Sequence, residues 1–275
     1  MSRMIEKPEY VGDMIMGQSR HQFVYGYKGE ERAQFLKALA GRYPVTLAQS
    51  SPMGIYICNT GLPEWPKDSE VLDEIAISSF YAQYTDHLIV ASIIDTIIEQ
   101  IGVKDLDKRG LEALSRIGKL FSKEKKPFSS FASLAEALND SVNVYSQEFA
   151  KYLDGSNPYA SGGEPADFYD ELPISISYMV ETLIGYIKSA LKNSSYFGII
   201  FDEQNASALG MHQAINGYIG MRINGDLSIK TVCEPGAWKT FYTQSGTLIE
   251  ACHDYGIVDL DGSHDDYTKT LVNRF

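Results

Sequence analysis

Residues 196–203 (YFGIIFDE) form an apolar run that ends in two carboxylates. A continuous apolar run of this length is typical of a parallel strand that is buried on both faces of its sheet. Ligands of open α/β sheets bind at the carboxyl ends of such strands. Asp202 is therefore the candidate ligand of a magnesium ion, and Glu203 is the candidate catalytic residue that activates a water.

Residues 21–33 (HQFVYGYKGEERA) are typical of a strand, a glycine loop and the start of a helix. In this arrangement backbone N–H groups at the helix N-terminus cradle a polyphosphate. Aligned with the pattern G-x-x-x-x-G-K-[ST], the first glycine is Gly26. The other three defining positions differ and hold Glu31, Arg32 and Ala33. The residues predicted to bind a nucleotide cofactor through this loop are Gly26, Lys28, Gly29 and Arg32.

Both halves of this site have a structural alternative. Glu30 and Glu31 lie where phosphates would bind, and like charges ~4 Å apart cost about 4 kcal/mol at an effective dielectric constant near 20. Acidic residues also stabilise the first turn of any helix, so the loop is either a phosphate cradle or a structural relic. The acidic pair at the end of the apolar run can likewise cap the next helix, as can Asn205 and Ser207.

The rest of the chain alternates between strand-like and helical segments. Strands are predicted near residues 21–25, 45–48, 54–58, 196–201, 227–233 and 255–260. Residues 69–153 are helical almost throughout, with Ser133 and Glu136 predicted to open one helix as a capping box. The pattern predicts an α/β fold with a mostly parallel sheet of the P-loop NTPase type and a large helical insertion. Residues 1–62 and 171–275 would form the core, and residues 63–170 the insertion and its linker.

Composition limits the partners of the chain. Its net charge of −12 gives no overall attraction to phosphate backbones, so direct DNA binding is not expected without a partner. The three cysteines are far apart, which argues against a disulfide framework or a zinc ribbon. The N-terminus has no apolar signal core, and polar residues interrupt the most apolar helix at 88–101. A cytoplasmic protein without a membrane span is therefore expected.

Several segments resemble bacterial ATPases related to the origin-recognition type of AAA+ protein. They are residues 202–209 (DEQNASAL), 213–216 (QAIN), 227–232 (LSIKTV), 235–240 (PGAWKT) and 253–261 (HDYGIVDLD). The resemblance implies ATP binding, with Asp202 on magnesium and Glu203 on the attacking water. It also implies a polar sensor of the γ-phosphate near the end of the strand at 227–233, for which Thr231 is the candidate.

Two functions follow from the altered loop and the resemblance. The first is a non-catalytic or weakly nucleotide-binding P-loop module that assembles with other protein subunits as an oligomer or complex, in a bacterial or phage-related setting such as antiviral defence. The alternative is an active AAA+-type ATPase that works as a molecular switch or motor on DNA. ATP and Mg²⁺ are the cofactors that the site would hold, and negligible hydrolysis is expected from the isolated chain.

Overall fold

The sheet contains five strands within the residues that a computed structural model describes, which are 8–26, 30–59, 62–65, 74–101, 108–121, 128–153, 180–203, 208–221 and 225–260. The strands are β1 (His21–Tyr25), β2 (Met53–Asn59), β3 (Phe197–Glu203), β4 (Leu227–Cys233) and β5 (Tyr255–Asp259). Their order is β2-β3-β4-β1-β5, and every pair is parallel. The predicted α/β class is confirmed, and β1 and β3 lie in one sheet with β4 between them.

Seven helices are described. They are α1 (Pro8–Met16), α2 (Glu30–Arg42), α3 (Glu74–Gln100), α4 (Lys108–Phe121), α5 (Phe131–Leu153), α6 (Val180–Leu191) and α7 (Leu209–Gly220). None of the described helices is long and apolar enough to cross a membrane. Helix α5 begins before the predicted capping box: the Ser130 hydroxyl accepts the N–H of Ser133, and the Ser133 hydroxyl accepts the N–H of Ser130.

The predicted strand at residues 45–48 is wrong. Residues 44–46 have no regular structure, and Ala48 adopts a φ of 54°, which is incompatible with an extended strand. The N–H of Val45 bonds to the side chain of Gln100, and the N–H of Ala48 bonds to the carbonyl of Leu191. This segment therefore connects α2 to β2 by bonding to α3 and α6 instead of to a strand.

Alternation along the strands divides the core between the two faces of the sheet. On one face Phe23, Ile199 and Ile229 belong to a buried cluster that also contains Ile93 of α3 and Leu134 of α5. We call this the α3 face. Each large apolar side chain buried there contributes roughly 1.5–3 kcal/mol. The helices of the predicted insertion thus share their core with the sheet.

The opposite face, which we call the α2 face, packs against α1 and α2. Val24, Ile200 and Val232 form a second cluster there with Ile15 of α1 and Leu36 of α2. Successive residues of a strand point to opposite faces of the sheet. Ile200 points to the α2 face, so every second residue of β3 counted from Ile200 also points to α2. Asp202 is one of those residues, while Glu203 points to the α3 face.

A buried lysine holds the segment between α1 and β1 on the sheet. Lys230 of β4 donates hydrogen bonds to the carbonyl oxygens of Gln18 and Arg20, at 2.7 and 2.6 Å. Burial lowers the pKa of Lys230 to about 7. The neighbouring His21 accepts the N–H of Ile229, and burial, together with the charge of Lys230, lowers the pKa of His21 to about 4. His21 therefore stays neutral at pH 7.

Candidate functional site

The carboxyl ends of β1, β3 and β4 meet at one edge of the sheet, where the site was predicted. Gly26 follows β1 directly and adopts a φ of 119°, a conformation that L side chains rarely take. Helix α2 begins at Glu30, so its positive dipole end lies just beyond this loop. Lys28 and Gly29 lie outside the described residues.

Arg32 and Asp202 form a buried ion pair across this edge. The Nε of Arg32 donates to Oδ1 of Asp202 at 2.8 Å, and Nη2 of Arg32 donates to the backbone oxygen of Glu203 at 2.8 Å. Arg32 is 3% exposed and Asp202 is fully buried. The first turn of α2 is thereby tied to the last two residues of β3.

The second oxygen of Asp202 is also occupied. The hydroxyl of Tyr56, on the neighbouring strand β2, donates to Oδ2 of Asp202 at 2.8 Å. Burial raises the pKa of Tyr56 above its usual value, and the bond to Asp202 raises it further. Tyr56 therefore remains a protonated donor, and each carboxylate oxygen of Asp202 has a partner.

This arrangement does not fit a magnesium ion. Mg²⁺ needs near-octahedral oxygen ligands, and both oxygens of the fully buried Asp202 already accept a hydrogen bond, so a metal would compete with Arg32 and Tyr56 for this carboxylate. Ala33 has no hydroxyl to offer in place of the serine or threonine of the motif. Within the described residues, no group of three or more His, Cys, Asp or Glu side chains could hold a metal. The guanidinium of Arg32 supplies the positive charge that a metal would otherwise bring to Asp202.

Glu203 lies in a separate cluster on the α3 face. Its Oε1 is 3.7 Å from Nε2 of His212, and both side chains are almost completely buried. The imidazole of His212 stacks on the indole of Trp238, with 3.8 Å between ring centroids. Nδ1 of His212 accepts the backbone N–H of Lys239 at 3.1 Å. Because a backbone N–H can only donate, Nδ1 holds the lone pair and the ring proton of a neutral His212 sits on Nε2, facing Glu203.

Thr231 lies inside β4, two residues before the strand ends at Cys233. It pairs in register with Phe201 of β3 and Phe23 of β1, and it is fully buried. Its hydroxyl has no hydrogen-bond partner among the described residues. Thr231 shares the α3 face with Glu203, and its role as a phosphate sensor stays a prediction.

A family model described as ORC-CDC6-like matches residues 47–274, which is most of the chain. The chain belongs to the ORC-CDC6-like family. This membership supports the predicted relationship to origin-recognition-type AAA+ proteins, and the parallel sheet is consistent with a P-loop NTPase-like fold. No curated protein and no solved structure matches the chain. The family match includes Asp202, Glu203 and Thr231, whereas Gly26 and Arg32 lie before its first residue.

The sequence pattern predicted Arg32, Asp202 and Glu203, which the structure places at this edge of the sheet, but it did not predict two of their side-chain partners. Tyr56 is one of several residues in an ordinary apolar strand, and His212 lies alone in a helix. Neither belongs to a spacing motif. The only signal for Tyr56 was its position in a strand predicted to lie in the same sheet, and the side-chain pairing depends on a register that the sequence does not specify.

Proposed function

We propose that this chain is an NTPase-like module of the ORC-CDC6-like family that binds nucleotide weakly or not at all, does not hydrolyse it, and acts as a subunit of a multiprotein complex. A pseudo-ATPase of this kind would use its α/β core as a scaffold. Its partners would be other protein subunits, with DNA reached only through them. The cytoplasmic location belongs to the same proposal, and a role in bacterial or phage-related antiviral defence rests on the family resemblance alone.

The buried pair between Arg32 and Asp202 carries this proposal. Hydrolysis needs a metal that bridges the terminal phosphates and neutralises the developing charge. A metal on Asp202 would leave the Arg32 guanidinium without its charged partner in a buried site. Removing one partner of a buried ion pair typically costs about 3–5 kcal/mol. The pair therefore competes with Mg²⁺ for the carboxylate on which metal binding would depend.

Three features remain that favour weak, metal-independent contact with a phosphate. Gly26 follows β1 with a φ of 119°, and α2 begins four residues later at Glu30, so a helix N-terminus with its positive dipole end follows the strand closely in the chain. Nη1 of Arg32 has no hydrogen-bond partner among the described residues, so the guanidinium retains a donor, but this atom is buried and a phosphate would reach it only after a local opening of the site. These features support anion binding without the divalent metal that transfer chemistry requires.

A nucleotide titration and a hydrolysis assay on the purified chain test the proposal. We expect ATP, measured by calorimetry, to bind no more tightly with Mg²⁺ than with EDTA, because Asp202 is not available to the metal and Mg²⁺ reduces the negative charge of ATP. We expect steady-state hydrolysis far below the turnover of about one per second that ordinary enzymes reach. Glu203→Gln serves as the control for contaminating ATPases and should leave the measured rate unchanged.

The same assays distinguish the alternative function. ATP affinity that rises at least tenfold with Mg²⁺, equivalent to about 1.4 kcal/mol, would show that the site accepts the metal despite the pair between Arg32 and Asp202. A turnover on the order of one per second that Glu203→Gln abolishes would identify a working ATPase. Either result would favour the molecular switch or motor on DNA over the non-catalytic subunit.

A further inference from the structure

β2 is an edge strand of the sheet, and the hydrogen bonds at its start show which backbone groups point outward. In the order β2-β3-β4-β1-β5 it pairs with β3 alone among the described strands. The N–H of Met53 bonds to the carbonyl of Tyr196, which immediately precedes β3. The N–H of Gly54 bonds instead to the carbonyl of Tyr43, just after α2. Odd-numbered residues of β2 therefore direct their N–H and C=O groups to β3, and even-numbered residues direct theirs outward.

Tyr56 and Cys58 are the next outward-directed residues of β2. Within the part of the chain that the structure describes, no group bonds to the backbone N–H or C=O of either residue on that side. Cys58 is exposed and Tyr56 is half-buried, so this part of the strand lies at the protein surface. We call residues 56–58 the β2 edge. It presents two N–H donors and two C=O acceptors in one extended row.

The β2 edge lacks the features that usually protect an edge strand. Natural edges are blocked by lysine or proline, by inward-pointing charges, by a bulge or by a covering segment. β2 (MGIYICN) contains no charged residue and no proline, and its register with β3 runs without a bulge. The opposite edge strand, β5, differs: the carbonyl of Tyr255 accepts both the side chain of Arg20 and the N–H of Cys252, and Asp259 places a carboxylate in the strand. Only one of the two edges is thus chemically ready to pair with another strand.

We propose that the β2 edge pairs antiparallel with the β2 edge of a second copy of this chain. The donors and acceptors are self-complementary about a twofold axis at Ile57. Tyr56 lies opposite Cys58 of the partner subunit, and Cys58 lies opposite Tyr56 of the partner subunit. Each pair exchanges two N–H···O bonds, as the hydrogen-bonded pairs of antiparallel strands do. The contact is isologous, and it joins the two sheets into one.

The short length of the open row favours a second copy over a separate extended peptide. Peptides that add to a sheet edge gain their affinity from main-chain hydrogen bonds along the strand. At Gly54 the outward N–H is already taken by Tyr43, so the row is open only over the β2 edge. A second copy uses every group of this short row and brings its neighbouring surface as well. None of residues 56–58 is charged, so the net charge of −12 on each copy is not concentrated at the contact.

Pairing of this kind names one partner of the proposed subunit, and it does not depend on nucleotide. Sedimentation velocity of the purified chain over a range of concentrations measures it. We expect a shift from the monomer of 30.6 kDa to a species of twice that mass as the concentration rises. Added salt should strengthen the dimer, because it screens the repulsion between two acidic copies.

Substitutions at Cys58 test whether the β2 edge makes the contact. Cys58→Pro removes the outward N–H but no bond to β3, since Cys58 directs its backbone groups away from β3. It should raise the dissociation constant of the dimer at least about tenfold, or about 1.4 kcal/mol. Cys58→Ala is the matched control, because it removes the thiol, keeps the N–H and should dimerise like the unchanged chain. Cys58→Lys is a second blocking variant with its N–H intact, and circular dichroism checks that all three fold.

Cross-linking tests the register. With the axis at Ile57, the two Cys58 residues are diagonal neighbours roughly 7–8 Å apart, which is too far for a direct disulfide but within reach of a short bismaleimide. The Cys252→Ser background removes the other exposed thiol. We expect a cross-linked dimer in this background and its loss when Cys58→Ala is added.

Three outcomes would overturn the proposal. A chain that stays monomeric at every concentration does not pair through β2, and the ATP tests of the proposed function would stand unchanged. A dimer that is as stable in Cys58→Pro and Cys58→Lys as in Cys58→Ala would place the contact on another surface. A dimer that the bismaleimide does not link through Cys58 would contradict the axis at Ile57.

Discussion

Arg32 stands where the phosphate-loop motif has lysine, and the difference in side-chain geometry changes what the position does. A lysine ammonium is a point charge on a flexible stem, whereas a guanidinium is a rigid fork with several donors. Arg32 uses that fork to reach both the carboxylate of Asp202 and the backbone carbonyl of Glu203. At this position one residue converts a candidate metal ligand into the partner of a buried cation.

Removing the guanidinium should therefore destabilise the protein strongly. Arg32→Ala leaves the Asp202 carboxylate buried without its cation, and we expect a loss of about 3–5 kcal/mol in the free energy of unfolding. Urea denaturation followed by circular dichroism measures it. Gln34→Ala, at an exposed position on the same helix, is the matched control and should change stability by no more than about 0.5 kcal/mol.

A double variant identifies the cause of that loss. Asp202→Asn in the Arg32→Ala background removes the orphaned charge, so the double variant should be more stable than Arg32→Ala alone by about 1–3 kcal/mol. If the double variant is no more stable, the loss comes from the packing of the arginine stem. In that case the ion pair would not be the reason that the site resists a metal.

The sequence was sufficient to predict the position of a side chain where that position depends on a single strand or helix. The apolar run placed Asp202 and Glu203 at the end of β3, and strand alternation sends them to opposite faces. It could not predict that Tyr56 reaches Asp202, since that depends on how β2 aligns with β3. Nor could it predict that Trp238 and Lys239, in the segment that follows β4, position the ring of His212.

Among the elements, those with a strong apolar pattern were predicted close to their observed bounds. The strand expected at 227–233 is β4, and the helix expected through residues 174–191 is described from Val180. The failed strand at 45–48 has an apolar pattern too short to outweigh the turn at Ala48. The cap of α5 differs from the predicted box of Ser133 and Glu136, because Ser130 is the capping residue and the hydroxyl of Ser133 bonds back to its N–H in place of a glutamate.

Helix α2 packs closely against β2 at Gly54, and a substitution at this glycine tests that packing. A Cβ on Gly54 would lie 2.8 Å from the backbone oxygen and 2.9 Å from the Cα of Ala40 in α2. Backbone atoms cannot rotate away, so Gly54→Ala must push α2 off the sheet. We expect a loss of about 1–3 kcal/mol in the free energy of unfolding, as is typical of overpacked cores.

A second glycine in α2 supplies the control for this change. Gly41 has no atom within 4 Å of an added Cβ, so Gly41→Ala should be neutral or stabilise the helix by about 0.5–1 kcal/mol. Urea denaturation of the two variants compares the same substitution in contact and out of contact. Equal stability of the two would mean that α2 does not approach β2 as closely as the structure places it.

For the whole molecule, the question is whether the helical insertion is an independent unit. The sequence predicted residues 63–170 as a helical insertion with its linker, because the periodicity becomes helical there and a turn-rich segment from residue 154 ends the helices. Packing joins the two: Ile93 of α3 and Leu134 of α5 lie in the same buried cluster as Phe201 of β3. A sequence pattern marks where periodicity changes, but it does not determine which apolar faces share a core.

The two tryptophans report on the two parts separately, and we expect them to unfold together. Trp65 packs with Phe80 and Phe149 in a cluster made mostly by the insertion, while Trp238 packs with Phe23 of the sheet. The cluster around Trp65 also includes Met211 of α7, so the insertion cannot separate without exposing apolar surface on both sides.

Two single-tryptophan variants test this expectation. In Trp65→Phe the remaining Trp238 is the sheet reporter, and in Trp238→Phe the remaining Trp65 is the insertion reporter. In each variant the midpoint of the fluorescence change in urea should coincide with the midpoint of the far-ultraviolet circular dichroism of the same variant, as two-state unfolding requires. If the insertion reporter unfolded at clearly lower urea than the circular dichroism signal while the sheet reporter followed it, residues 63–170 would be a domain of their own. The shared core would then contribute less than its burial suggests.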